Sequence, residues 1–291
     1  MTVVAGYRAG EVGRSGLHLA VCIARTLGTS LAVATIVPKP WLIPSLARVD
    51  AEYEQWADHL AADSATEAAR FLHDLCDGID VTYLHREHRS VSGGLIEVVE
   101  EVGGEFLVLG SLPSAGGGVV IGTTADWLLH ASPVPVAISP RGYRPHTSKL
   151  TRLTCAYAAT PDSIEVVRRC SETAQRFGVP LRVMTFAVRG KTMYPPEVGL
   201  DVEDQVIEAW ASQAREILAS LKTDGVVGED VALEVVTGHD WSEALDKADW
   251  RDGEILALGT RPRDEIRRVF LGSRSAKIIR ESPVPVLVLP G

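Results

Sequence analysis

Positive charge is in short supply in this chain of 291 residues: 29 Lys and Arg face 38 Asp and Glu, for a formal net charge of −9 at pH 7. General nucleic-acid binding rests on neutralising phosphates with a surplus of Lys and Arg, so this balance disfavours it. Cysteine is scarce as well. Cys22, Cys76, Cys155 and Cys170 form no Cys-x-x-Cys, so neither a disulfide framework nor a zinc site is expected, and a reducing cytoplasm is the expected compartment. No apolar stretch approaches the roughly 20 residues a membrane helix needs, and no membrane insertion is expected. Gly-x-Ser-x-Gly, His-Glu-x-x-His and Gly-x-x-x-x-Gly-Lys-Ser/Thr are also missing. The esterase, zinc-peptidase and P-loop readings lose their main support with them.

What is present is a repeat. Ser-Pro-Val-Pro-Val occurs at Ser132 to Val136 and again at Ser282 to Val286, 150 positions later. The same offset pairs Tyr7 with Tyr157, Leu27-Gly28 with Phe177-Gly178, Leu31 with Leu181, and Gly122-Thr123 with Gly272-Ser273. Solenoid units repeat every 20 to 50 residues or so, whereas this period leaves room for a whole domain with its own core. The expected division is therefore a first domain over 1–145 and a second over 150–291. The polar segment Arg141 to Lys149, with Gly142 and Pro145, is the expected joint. None of the four cysteines matches another across the copies. Arg14 followed by the apolar run Leu17 to Ala24 has the composition of a secretory leader. Its duplicate at 164–178 lies mid-chain, where no targeting signal acts, so the run is expected to be a helix.

Each half opens with a short apolar run, at Val3 to Tyr7 or Leu153 to Tyr157. A helical stripe follows, carried in the second copy by Ile164, Val167, Ser171, Ala174 and Phe177. Thr160 is expected to cap that helix, with Pro161 at its first position and Gly178 at its end. A second strand is expected at 31–37 and 181–188. A long amphipathic helix comes next, bearing Trp56, Ala61, Ala65, Ala68 and Leu72 or Trp210, Ala214, Ile217 and Leu221. A third strand at 81–84 and 231–236 leads through a helix to a fourth at 106–109 and 255–258. A last helix then precedes Pro-Val-x-Val, whose prolines suit an outer strand. Such alternation predicts an α/β fold: two tandem copies of a five-stranded parallel-sheet, doubly wound, Rossmann-like domain.

Ligands of open parallel sheets bind beyond the carboxyl ends of the strands, where strand order reverses. In the second half, strand four runs into Gly259-Thr-Arg-Pro262, and Gly272-Ser273 opens the last helix nine residues later. The first half has Gly110-Ser-Leu-Pro113, eight residues, and Gly122-Thr123. Glycines let backbone approach phosphate, and a helix start offers unpaired N–H groups. This pattern ahead of Pro-Val-x-Val resembles the universal stress protein family in its tandem-domain form, over essentially the whole chain. The resemblance implies an adenine-nucleotide α-hydrolase-like fold. In the family's ATP-binding branch it implies Gly, two residues, Gly, nine residues and Gly-Ser or Gly-Thr, with an Asp ending strand one. The chain departs from that pattern: Pro113 and Pro262 replace the middle glycine, and Arg8 and Ala158 stand where the Asp would be.

Between Arg261 and Arg280 seven basic residues face only Asp264 and Glu265, a local surplus of five positive charges that would attract an anion. The resemblance implies ATP or another adenine nucleotide as that anion, expected in the second half rather than the first. The base is expected near Phe186 and the phosphates at Gly259, Gly272, Ser273 and Arg274, with Ala158 and Arg261 as further cofactor-binding candidates. Gly110, Gly122 and Thr123 are the degenerate counterparts. His85 and His88 read as a solvated turn rather than a metal site. Trp56 and Trp210 read as packing residues, and Arg8 as a plug, a clamp or a solvated side chain. The expected function is that of a non-catalytic stress or signalling protein, with the last strands of its two domains packed together as an intramolecular pseudo-dimer. Two tandem chains joining as a homodimer is a further expectation. The alternatives are an interaction module that binds no nucleotide, and a weak ATP hydrolase.

Overall fold

Short runs of β-branched and small apolar residues become the inner strands, buried on both faces, while the edge strands Val81–His88 and Ala232–Gly238 are only partly buried. The computed structural model describes residues 1–10, 13–39, 47–111, 119–160, 163–188, 200–260 and 273–290, with backbone alone at 47–51 and 200–204. The first half runs β1 (Thr2–Gly6), α1 (Arg14–Leu27), β2 (Ser30–Pro38), α2 (Ala47–Leu72), β3 (Val81–His88), α3 (Val91–Glu101), β4 (Gly104–Gly110), α4 (Thr123–Ala131) and β5 (Val136–Ser139). The second runs β6 (Arg152–Ala156), α5 (Ile164–Phe177), β7 (Leu181–Val188), α6 (Leu200–Thr223), β8 (Ala232–Gly238), α7 (Trp241–Lys247), β9 (Glu254–Gly259), α8 (Ser273–Glu281) and β10 (Val286–Leu289). Each half is thus the expected doubly wound α/β unit of five parallel strands.

The ten strands form one sheet, ordered β3-β2-β1-β4-β5-β10-β9-β6-β7-β8. Every neighbouring pair is parallel except the seam, where β5 and β10 pair antiparallel through Val286↔Ile138, Leu287↔Ala137 and Val288↔Val136. As expected, the last strands of the two halves pack together, so the strand that is outer within each half meets its counterpart at the centre of the ten-stranded sheet. Pro135 and Pro285 sit just before these strands and join the ladders through their carbonyls, which accept from Leu107 N at 2.9 Å and Leu256 N at 2.8 Å.

The core is divided by sheet face and not by half. Alternate strand residues such as Val3 and Ala5 face a core built with α1, α5 and the ends of α2 and α6. Val4 and Leu107 face a second core built with α3, α4, α7 and α8. Both cores run across the seam. Phe106 of β4 meets Phe177 of α5 with ring centroids 5.4 Å apart, and Arg176 lies over the Phe106 ring while pairing with Glu105.

Several local expectations shift. Helix α5 starts at Ile164 with Ser163 before it, and Thr160 does not cap it; instead the Ser163 hydroxyl donates to the Thr160 carbonyl at 2.7 Å. Pro161 lies outside the described residues. Gly178 closes α5 in the left-handed region at φ 65°, as does Gly28 after α1, which a side chain would oppose. β3 extends to His88, so His85 and His88 stand on a strand, and the His88 Nδ1 meets Ser90 next to the α3 cap. The buried stripe of α2 is Ala57, Ala61, Ser64, Ala68 and Leu72, which leaves Trp56 43% exposed. The joint is pinned: the amides of His146 and Thr147 both donate to Asp252 Oδ2 at 2.8 Å, and the Leu150 amide donates to Thr26 Oγ1 at 2.8 Å.

Candidate ligand cavity of the second half

In each half the chain leaves its first strand toward one side of the sheet and returns on the other. The order reverses between β1 and β4 and again between β6 and β9. A crevice opens there at the carboxyl ends of the strands. The two crevices have different contents.

In the second half the β6–β7 end is held by two bonds, Tyr157 N to Met184 O at 2.8 Å and Thr185 Oγ1 to Tyr157 O at 3.0 Å. Beyond it lie two joined chambers. The outer, of about 230 Å³, is lined by Ala158, Ala159, Thr160, Trp210, Gln213, Ala214, Ile217 and Arg274. The inner, of about 60 Å³, reaches Thr185, Phe186, Trp241, Leu258 and Ile278. Ala158, Trp210 and Arg274 border both. The Arg274 guanidinium lies 6.0 Å from the Trp210 ring centroid, a cation–π arrangement, and the Phe186 and Trp241 rings are 6.2 Å apart. Ala159 holds φ 52°, alone among the described residues other than glycine in adopting a positive φ, so the loop at the chamber mouth carries backbone strain.

Trp241 is fixed because α7 is capped at both backbone ends of its first turn. Asp240 Oδ1 accepts from Glu243 N at 2.8 Å, while Glu243 Oε2 accepts from His239 N at 2.7 Å. Together the chambers offer the rings of Trp210, Phe186 and Trp241, a cation and small polar groups, which suits a flat heteroaromatic ring joined to an anion.

The expected site residues separate. Ala158, Phe186 and Arg274 come together around the chambers. Ser273 is exposed at the first residue of α8. Gly259 borders neither chamber, and a Cβ on it would stand 2.2 Å from Val166 Cγ2; the glycine lets α5 close on the sheet. Arg261, Pro262 and Gly272 lie outside the described residues, as does Pro113. In the first half, Gly110 ends β4 and Gly122 precedes Thr123 at the start of α4. Trp210, expected to be packing, is one of the three residues shared between the chambers. Its position just before the buried Ala211 was the available signal, since the matching residue in α2 is Leu60 before Ala61. Gln213 and Trp241 were missed, and a single polar or aromatic residue on an amphipathic helix carries no mark of its own. Among the described residues no cluster of His, Cys, Asp or Glu could hold a metal ion, and no helix is long and apolar enough to cross a membrane.

In the first half the loop after β1 is tied to α2 among the described residues. At the 150-residue offset Ser64 and Glu67 stand where Ala214 and Ile217 line the second chamber. Ser64 Oγ accepts from Ala9 N at 3.0 Å, and Glu67 accepts from Gly10 N at 3.1 Å and from Arg14 Nη2 at 3.2 Å. Burial alone would raise the Glu67 pKa, but the Tyr7 hydroxyl, Arg14 and the Gly10 N–H together hold it below the usual carboxylate value. Burial and the facing Glu67 push the Tyr7 hydroxyl up in turn.

With this geometry in place, likeness to known proteins is specific. The profile described as Universal stress protein family matches residues 1–140 and again residues 149–290. The protein named Universal stress protein Rv2319c, from Mycobacterium tuberculosis (strain ATCC 25618 / H37Rv), is 66% identical over 292 residues, covering 100% of both chains. Universal stress protein Slr1230 from Synechocystis sp. is 21% identical over 202 residues, covering 67% of this chain and 62% of that one. A universal stress protein of known crystal structure from Archaeoglobus fulgidus DSM 4304 superposes with a TM-score of 0.60 at 16% identity, over 99% of this chain and 98% of that one. That last likeness speaks to the fold.

Proposed function

This chain belongs to the universal stress protein family, and we propose that it is a non-catalytic stress or signalling protein that holds an adenine nucleotide, ATP or a shorter relative, in its second half. The observation that carries this reading is the pair of chambers joined at Ala158, Trp210 and Arg274. Aromatic faces accept a base whatever its edge pattern, and each base stacked on one gains roughly 1–3 kcal/mol. Arg274 is placed to meet the anionic end, and charge-assisted hydrogen bonds of that kind contribute about 1.5–3 kcal/mol. In this reading Ser273 adds a helix-start N–H to the anion. Arg261 and Gly272 would act from the preceding segment. A bound ligand would bias the molecule only through its differential affinity for two arrangements of the halves. The four free cysteines support a reducing compartment such as the cytoplasm.

Isothermal titration with ATP and AMP tests the proposal. Wild type should bind, Trp210→Ala should weaken binding by about 1–3 kcal/mol, roughly 5- to 150-fold, and Arg274→Ala should weaken ATP more than AMP. No heat from wild type at millimolar nucleotide would remove the reading. It would leave the interaction-module alternative, which Ala158 favours because it offers no side-chain acceptor at the end of β6.

A further inference from the structure

We infer that Tyr7, Gly10 and Arg14 of the first half form an oxyanion seat whose occupant is the chain's own Glu67, and that removing this carboxylate opens the seat to inorganic phosphate. The inference concerns the first half alone and does not depend on a nucleotide in the second.

Four donors lie on Tyr7, Gly10 and Arg14. Two of them, the Gly10 amide and Arg14 Nη2, are spent on the two oxygens of Glu67. The other two, Arg14 Nε and the Tyr7 hydroxyl, are buried and make no hydrogen bond of good geometry, although the hydroxyl lies close enough to Glu67 and Arg14 to feel both charges. Tyr7 as a residue is only 4% exposed, and its hydroxyl lies against the Glu67 carboxylate without reaching hydrogen-bond geometry. A buried donor left unmade is costly, so the constellation is one a larger acceptor would complete. A carboxylate presents two oxygens in one plane, whereas a tetrahedral oxyanion presents four in three dimensions and can take the spent and the unspent donors together.

The second half shows that the carboxylate is not required by the fold. Ile217 occupies its place and Ala214 that of Ser64, with a cavity beside them. In the second half the positive φ falls on Ala159; in the first it moves one position on, to Gly10 at φ 130°, which turns that amide toward the carboxylate. The seat is also reachable: the Arg14 and Glu67 side chains are 43% and 26% exposed.

Phosphate titrated at pH 7 into wild type, Glu67→Ala and Glu67→Ala/Arg14→Met, followed by calorimetry and by phosphorus NMR line width, tests the inference. Glu67→Ala should bind phosphate at least tenfold more tightly than wild type, and the double variant should lose that gain. A folded Glu67→Ala that titrates like wild type overturns the proposal, as does a gain that survives loss of Arg14. Should Glu67→Ala fail to fold, Glu67→Ile, which carries the second half's own residue at that register, is read by the same titration and by the same two outcomes.

Discussion

Replacing Glu254 with Gln should destabilise the chain by about 3 kcal/mol while leaving the shape of the side chain unchanged. The carboxylate is fully buried on β9 and receives Arg152 Nη2 at 2.6 Å, Arg182 Nη2 at 2.7 Å and the Arg251 amide at 2.9 Å, with the Thr154 hydroxyl completing its shell. The two arginine side chains are 8% and 3% exposed. Removing one partner of a buried pair costs about 3–5 kcal/mol because the other charge stays buried. The lower end applies, since Arg182 keeps Glu234 at 2.9 Å and the Trp250 face at 5.1 Å, and both arginines keep the Asp249 carbonyl. Urea unfolding reads the effect as a lowered midpoint at unchanged slope. The first half supplies the control. By strand register Thr2, Val4, Ala32 and Gly104 stand where Arg152, Thr154, Arg182 and Glu254 stand in the second, so the same sheet closes without any ions. Replacing the whole cluster, with Arg152→Met, Arg182→Met and Glu254→Leu together, should therefore be no worse than the single change. A Glu254→Gln protein within about 0.5 kcal/mol of wild type, or a triple variant much less stable than the single, would refute this reasoning.

Gly259→Ala should cost about 1–3 kcal/mol by forcing a methyl against the stiff Val166 side chain, with Val166→Ala restoring most of it; equal melting temperatures for wild type and Gly259→Ala would show that the close approach of α5 is not tight. His18 packs edge-on to Phe71 at 5.1 Å, and burial, then the Arg144 charge, holds its pKa below 6.5. Because the folded value is the lower one, its contribution is complete above the ordinary histidine range and is lost as pH falls through the folded value. His18→Phe should flatten that part of the stability profile, and superimposable pH profiles for the two proteins would count against the assignment.

The repeat made the fold legible, since one spacing placed five strands and four helices in each half and the alternation then implied parallel sheets. Boundaries were harder. Pro-Val-Pro-Val was legible as the outer strand of each half and as the strand that packs on its counterpart, whereas the start of α5 and the end of β3 fell at other residues than the local pattern implied. The candidate site was legible near the carboxyl ends of strands, where Ala158 follows β6 and Phe186 lies near the end of β7, and in the first turn of a helix carrying surplus positive charge, where Arg274 stands. Gly259 carried a phosphate-like pattern for a packing reason, because a glycine that admits a helix and one that admits a ligand look alike in sequence. Trp210 was hidden on an amphipathic helix, where an aromatic residue at the edge of the apolar stripe usually belongs to the core. Glu67 was invisible for the converse reason: a carboxylate on a helix face is normally solvated, and only its reach to Gly10 and Arg14 shows otherwise.

A crystal structure of the full chain grown with saturating ATP tests the account most directly. It should show density for the base among Trp210, Phe186 and Trp241 in the second half, while Glu67 still accepts from Gly10 and Arg14 in the first. Nucleotide density in the first crevice, or an empty second chamber at saturation, would contradict it.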